Sequence, residues 1–392
     1  MLTDQSATVV RATLPAVGAA IEDITGLFYE KLFSAHPELL RDLFNRGNQA
    51  AGTQRQALAG SIAAFAGYLV NHPDDRPDVM LARIAHKHAS LGVRAEQYPV
   101  VHRHLFEAIA EVLGDAVTPQ VAAAWDEVYW LMANALITIE KRLYAEQGAV
   151  DGDVWREWEV VSRAEETPDV ASFLLRPADG APAPAFRAGQ YVSVQVELPD
   201  GARQIRQYSL TGAPAASGRS IAVKRADGGE VSTHLHRHVH EGDRLRVSAP
   251  YGDLVLSADE TPLLLASAGI GCTPILAMLE DLAATRHAGP VTVVHADRSP
   301  GTHALRTEHA ALAGKLVEGA AHFWYEEGAL AGGRTGFADL AEVAVAPGTR
   351  AYLCGPLPFM RAMREQLLAM GVAAADIHYE VFGPDLWLAA AA

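Results

Sequence analysis

Arg206-Gln207-Tyr208-Ser209-Leu210 decides how the chain is read. A strand carrying a guanidinium, an aromatic ring and a hydroxyl in this order is suited to a flavin. Arg206 can pair with a pyrophosphate. Tyr208 can pack on an isoalloxazine, and Ser209 can hydrogen-bond a ring nitrogen. Taken alone, the run also suits an ordinary edge strand, so the flanking sequence has to decide.

Around it, from Trp155 to about Leu256, the pattern is that of short strands. Tyr191 to Leu198 alternates, with Val192, Val194, Val196 and Leu198 on one face and Tyr191, Ser193, Gln195 and Glu197 on the other, which predicts a half-buried antiparallel strand. Turns at Pro199-Asp200-Gly201, Asp227-Gly228-Gly229 and Glu241-Gly242-Asp243 give the spacing of an antiparallel β-barrel.

From about Pro262 the pattern alternates strand and helix: Leu263–Ala266, a helix over Pro274–Leu282, Val291–Val294, and Tyr352–Cys354. That predicts an α/β doubly wound parallel sheet. Gly269-Ile270-Gly271-Cys272-Thr273-Pro274 follows its first strand directly. Two glycines allow a sharp turn and close approach to a ligand. Thr273 can cap the next helix and Pro274 suits its first turn, so free N–H groups face a pyrophosphate. The following strand ends His295-Ala296-Asp297-Arg298-Ser299. An acid there favours the ribose of NADH and Arg298 with Ser299 the 2′-phosphate of NADPH, so the choice stays open.

Upstream, residues 1–148 read as all-α. Val10, Leu14, Val17, Ile21, Ile24, Phe28 and Leu32 recur at threes and fours. Further helices are expected over 54–70, 79–91, 99–113 and 121–144. The expected domains are 1–148, 151–258 and 259–392. In the first, Ile84, His88 and Leu91 share one helix face, with Leu81 behind. A histidine in an apolar stripe is either a satisfied core residue or a haem ligand.

Composition sets limits. The net charge of −15 argues against nucleic acid or an anionic membrane as partner. The first 25 residues lack a basic start followed by an apolar run, and no apolar stretch reaches the roughly 20 residues of a membrane span. Two cysteines, Cys272 and Cys354, make no disulfide framework. A reducing cytoplasm without membrane anchoring is the expected setting.

Residues 155–384 resemble the ferredoxin-NADP reductase superfamily. The resemblance rests on Arg206–Leu210, Gly229-Glu230-Val231-Ser232, Gly269–Pro274 and Cys354-Gly355-Pro356. It implies that Arg206, Gln207, Tyr208 and Ser209 hold FAD, with Gln190 and Tyr191 beside the flavin and Val231 and Ser232 at its pyrophosphate. Gly269, Ile270, Gly271, Cys272, Thr273 and Pro274 would take the nucleotide of NADH or NADPH, and Cys354, Gly355 and Pro356 its nicotinamide end. In Glu380-Val381-Phe382-Gly383-Pro384, Phe382 would lie against the isoalloxazine; otherwise it is a core Phe at a strand end.

The first domain resembles a globin through Phe28-Tyr29, Pro37-Glu38-Leu39, Leu43-Phe44-Asn45, Gln54–Leu58, Lys87-His88, Glu96-Gln97-Tyr98 and Glu140, and the whole chain resembles the flavohaemoglobin family. By that resemblance the cofactors are haem b, FAD and NADH or NADPH, and His88 is the proximal iron ligand. Tyr29 and Gln54 line the distal pocket beside Leu58, and Phe44 packs on the porphyrin. Tyr98 and Glu140 complete the proximal side, and Lys87 and Glu380 tune the haem–flavin gap. The implied activity is nitric oxide dioxygenation. Hydride passes from NAD(P)H to FAD, single electrons pass to haem, O₂ binds and accepts a hydrogen bond from Tyr29, and NO is converted to nitrate. An oxygen sensor or carrier, or a haem–flavin reductase for hydroperoxides, are the alternatives. The expected state is a monomer, with a lipid as a candidate occupant of the distal pocket. Cys272 stands where the family often has Gln, which raises oxidation of that loop as an expectation, and Val381 where it often has Cys. His234, His236, His238 and His240 alternate; on a helix they would form two i, i+4 pairs, read here as an exposed face with adventitious zinc or nickel binding at most.

Overall fold

The computed structural model describes residues 1–75, 77–150, 152–214, 217–328 and 333–383. Contacts divide the chain into two compact units, one built on residues 1–155 with 197–206, the other on 156–196 with 207–382.

The first unit is helical: α1 (Asp4–Ala35), α2 (Pro37–Asp42), α3 (Arg46–Ala50), α4 (Thr53–Asn71), α5 (Asp78–Leu91), α6 (Tyr98–Leu113) and α7 (Pro119–Glu146). Capping explains the ends. The Thr3 hydroxyl accepts from the Ser6 amide at the start of α1, and Thr118 caps α7 ahead of Pro119. Gly92, left-handed at φ 74°, stops α5. A Cβ there would lie 2.6 Å from the Gly152 carbonyl, so only glycine allows that approach. The stripe read along α1 is the core: Val10, Val17, Ile24, Phe28 and Leu32 are buried. No described helix is long and apolar enough to cross a membrane.

Next come β1 (Trp155–Thr167), β2 (Val170–Pro177), β3 (Tyr191–Glu197), β4 (Arg203–Ser209), β5 (Arg219–Lys224), α8 (Glu230–His238) and β6 (Arg244–Ser248). The six strands form one sheet in the order β4-β3-β6-β1-β2-β5. Leu210, just past β4, bridges Ile221 in β5, so the two edges of the sheet meet as a barrel requires. Strand β3 is more enclosed than expected: Tyr191, Val192, Ser193, Val194 and Val196 are buried, Gln195 is half-buried and Glu197 is exposed. Tyr191 bridges Tyr251, and Ser193 receives the Gln207 side-chain amide at 2.9 Å while its own N–H donates to Ser248. Its polar face is covered at Tyr191 and Ser193, where these groups find partners within the barrel.

The last part contains β7 (Leu263–Ala268), α9 (Cys272–Thr285), β8 (Val291–Asp297), α10 (Arg306–Ala313), β9 (Gly319–Tyr325), β10 (Arg334–Thr335), β11 (Arg350–Cys354), α11 (Leu357–Ala369) and β12 (Ile377–Glu380). The order β10-β9-β8-β7-β11-β12 is parallel throughout. The strand order reverses at β7, where such sheets open a ligand crevice. Barrel and parallel sheet share one core: Ala188, Leu254 and Leu256 pack with Ile275, Met278 and Leu279 of α9. Gly189 marks this seam, at φ 101° with a Cβ position only 2.0 Å from the Leu254 carbonyl. Gly189→Ala is therefore expected to cost about 3 kcal/mol through overpacking and strain, read as a lower denaturation midpoint by protein and flavin fluorescence together.

Candidate functional site

In the helical unit the site is built on α5. The fully buried positions of that helix are Leu81, Ala85, Ala89 and Ser90, whereas Ile84, His88 and Leu91 lie on a neighbouring, half-buried face. The side chain of His88 is 33% exposed, which excludes its being a core histidine. Its Nδ1 lies 2.8 Å from Glu140 Oε1 and 3.1 Å from the Tyr98 hydroxyl, and that hydroxyl donates to the same Glu140 oxygen at 2.6 Å. Glu140 is buried on α7. With a carboxylate opposite it, Nδ1 carries the proton and Nε2 presents the lone pair that iron needs. Burial, then the charge of Glu140, pushes the Tyr98 phenol far above its usual range, so Tyr98 acts only as a neutral donor. A histidine oriented by a buried carboxylate would fit haem iron.

Tyr29, on α1, is buried among Phe28, Phe33 and Phe44, with the Phe33 ring stacked at 5.5 Å and the Phe44 ring edge-on at 5.9 Å. Burial pushes its pKa up to about 12, against smaller opposing interactions with Gln54 and Gln49. The phenol therefore keeps its proton at neutral pH. Gln54 and Leu58 stand half-buried one turn apart on α4. Gln49 is a residue the sequence reading missed, and its buried side-chain nitrogen finds no partner among the described residues. Gln204 was missed as well. Its buried amide donates to the carbonyls of Leu40, Arg41 and Phe44, and its oxygen accepts from the Arg46 amide, which anchors the segment carrying Phe44.

In the second unit Ser209 is buried and Tyr208 half-buried on β4; Gln190 is buried, and its backbone carbonyl receives the Leu210 amide. Arg206, on the same strand but in the first unit, rests one guanidinium nitrogen on the Ile205 carbonyl. Val231 and Ser232 occupy the first turn of α8, whose amides point away from the helix. Phe382 is 48% exposed, so it is not a core Phe. Glu380 is buried, half-buried Val381 and exposed Gly383 are described, and Pro384 lies outside the described residues.

The glycine loop lies at the β7 switch point. Gly269 is left-handed at φ 54°, and a Cβ on Gly271 would lie 2.3 Å from the Cys354 carbonyl. Only Gly269 and Ile270 of the six loop residues are accessible; Gly271, Cys272, Thr273 and Pro274 are buried, as is Cys354, while Gly355 and Pro356 reach the surface. Two expectations are corrected here. Thr273 does not cap α9: the helix begins at Cys272, and the Thr273 hydroxyl donates to the Ile270 carbonyl. Cys272 is not an oxidation-prone thiol: it is fully buried, its pKa pushed up to about 12 by burial, so thiolate is scarce. Asp297 is turned inward, accepting from Thr302 Oγ1 at 2.6 Å and from the Arg298 amide, while Arg298 is exposed.

The histidine run divides. His234 and His238 are one turn apart on α8 with ring centroids 5.4 Å apart, but the helix ends at His238. The second pair therefore does not form: His236 bonds the Val223 carbonyl and His240 faces Asp243.

Three family profiles match the chain in order: Globin over residues 26–136, Oxidoreductase FAD-binding domain over 157–256 and Oxidoreductase NAD-binding domain over 265–365. The chain is 42% identical over 404 residues to a flavohemoprotein of Chromobacterium violaceum, covering 98% of both chains. A flavohemoprotein of Bordetella pertussis is 42% identical over 98% of this chain and 99% of its own. Among solved structures, a flavohemoglobin from Malassezia yamatoensis with bound FAD and heme superposes with a TM-score of 0.91 at 39% identity, covering 97% of this chain and all of that one. The FAD/NAD-binding domain of a nitric oxide dioxygenase from Vibrio cholerae matches at 37% identity and TM-score 0.55, covering 58% of this chain and 99% of that one.

Proposed function

The chain belongs to the flavohemoprotein family, and from that premise we propose that it is an NAD(P)H-dependent nitric oxide dioxygenase, with a haem domain over 1–148, an FAD barrel over 151–258 and a nicotinamide-binding domain over 259–392. When bound, haem supplies the centre where oxygen and nitric oxide combine, FAD converts paired into single electrons, and NAD(P)H supplies the hydride.

The chain's own residues prepare that chemistry. His88 would hold the iron through Nε2, and Glu140 keeps the Nδ1 proton in a strong, charge-assisted bond that raises the basicity of the ligand nitrogen. Tyr98 fixes the carboxylate by donating to it. Tyr29 holds its proton on the phenol oxygen in a site lined with aromatic rings, where a donor is effective because water is excluded. Gln54 and Gln49 orient that phenol; Leu58 and Phe44 complete the apolar wall. Arg206, Gln207, Tyr208, Ser209, Gln190, Tyr191, Val231 and Ser232 would hold FAD, and Phe382 would cover its exposed ring until nicotinamide replaces it. Gly269 and Ile270 would receive the dinucleotide through backbone groups, with Gly355 and Pro356 at the nicotinamide end. Lys87 and Glu380 are electrostatic tuners of the electron path.

The observation that carries this reading over a simple oxygen carrier is the buried Glu140 on His88, because an electron-rich proximal ligand favours oxygen activation over storage. The test is anaerobic addition of NADH, and separately NADPH, to the holoprotein, followed by O₂ and NO. The flavin band should bleach before the Soret band shifts, and one nitrate should form per NO consumed. A flavin that reduces while the Soret band stays ferric, or NO that persists, defeats the proposal.

A further inference from the structure

The parallel-sheet part of the second unit buries three histidines that the proposed chemistry does not use. His295 lies near the C-terminal end of β8, His303 follows in the loop, and His309 is on α10; all three are buried. One ring nitrogen from each lies within 4.8 Å of the other two. We propose that His295, His303 and His309 form a binding site for one zinc ion.

The hydrogen bonds around the cluster supply the first argument. The Ser267 hydroxyl lies 2.8 Å from His295 Nδ1, and the Tyr325 hydroxyl 2.9 Å from His303 Nδ1. Both rings thus have their outer nitrogen engaged and turn Nε2 inward, the arrangement in which second-layer groups set a ligand's tautomer. His303 Nε2 lies 3.3 Å from His309 Nδ1. A tetrahedral ion about 2.0–2.1 Å from each ligand sets a nitrogen–nitrogen distance of about 3.3 Å, so this pair already has the right separation.

Unspent polar atoms supply the second. His295 Nε2 and Asp297 Oδ2 are buried without a hydrogen-bond partner, 3.5 Å apart. Native interiors seldom leave such atoms unpaired. The His295 and His303 rings are stacked at 3.8 Å and His309 stands nearly perpendicular to His303, so binding requires the stacked pair to open like a hinge until both ring nitrogens face one ion. Asp297 places a carboxylate beside the cluster to offset a dication. Imidazole donors with a borderline-soft divalent ion point to zinc rather than calcium or magnesium.

The experiment uses the full-length holoprotein after chelator treatment, titrated with Zn²⁺ against a chromophoric competitor. One tight equivalent is expected. His309→Val and His303→Asn should each weaken it at least about tenfold, while the surface variant His234→Ala/His238→Ala should leave it intact. Zinc K-edge absorption of the one-equivalent wild type should show three imidazole nitrogens near 2.0 Å, which keeps the test decisive even where a core variant fails to fold. Absence of a tight equivalent, its loss in the surface variant, its survival in His309→Val, or an absorption spectrum lacking imidazole ligands would overturn the proposal.

Discussion

Tyr29→Phe is expected to lower the rate of NO consumption about a hundredfold, the typical cost of deleting one preorganised donor from a water-excluded site. The substitution removes a single oxygen from a wall of aromatic rings, so the packing with Phe33 and Phe44 is kept. Oxygen release should become faster, and flavin reduction by NADH should stay unchanged because Tyr29 lies in the other compact unit. Unaltered NO consumption with normal oxygen release would end the assignment of Tyr29 as the distal donor. The same residue fixes a pH dependence. Its pKa stands at about 12 in the fold against an ordinary 10, so donation is retained through neutral and moderately alkaline pH. Between those values the unfolded chain releases a proton that the folded protein keeps. Tyr29 therefore contributes stability that is fully present below pH 10 and is lost as pH rises through about 12. In alkaline unfolding, Tyr29→Phe should show a shallower fall over that window.

What could be read from the sequence follows from how local each signal is. The stripe along α1 and the β–loop–α unit at Gly269 are periodic or contiguous, so local physics declares them. The helix starts two residues earlier than Thr273 as an N-cap implies, at Cys272, and the Thr273 hydroxyl bonds back to the Ile270 carbonyl. Strand β3 shows the same limit: alternation marks two faces but says nothing of what covers the polar one, here Gln207, Ser248 and Tyr251. His88 was visible as a residue on a helix face, but its partner Glu140 is 52 positions away and was reached only through resemblance. Gln49 and Gln204 carry no pattern at all, since an amide becomes informative only when its burial and partners are known. The three buried histidines are drawn from a strand end, a loop and a helix, so no spacing rule brings them together.

Glu140→Leu should separate a structural from an electronic role for the buried carboxylate. It leaves the Tyr98 hydroxyl without its acceptor, at a cost of about 1–3 kcal/mol, and the His88 Nδ1–H with only the Tyr98 oxygen at 3.1 Å. The variant should therefore melt earlier and bind haem about 10- to 100-fold more weakly, as loss of a ligand's supporting partner commonly does. Stability alone does not discriminate, because any buried carboxylate with two donors would behave so. Glu140→Gln does discriminate: an amide oxygen in the place of Oε1 can still accept from both donors, but the negative charge that draws the Nδ1 proton is gone. In the ferrous protein the iron–histidine stretching frequency should drop in both variants, and NO consumption should fall in Glu140→Gln even where its haem content is restored. A Glu140→Gln protein with lowered thermal stability but wild-type stretching frequency and turnover would reduce Glu140 to a packing residue, and the preference for oxygen activation would need another source.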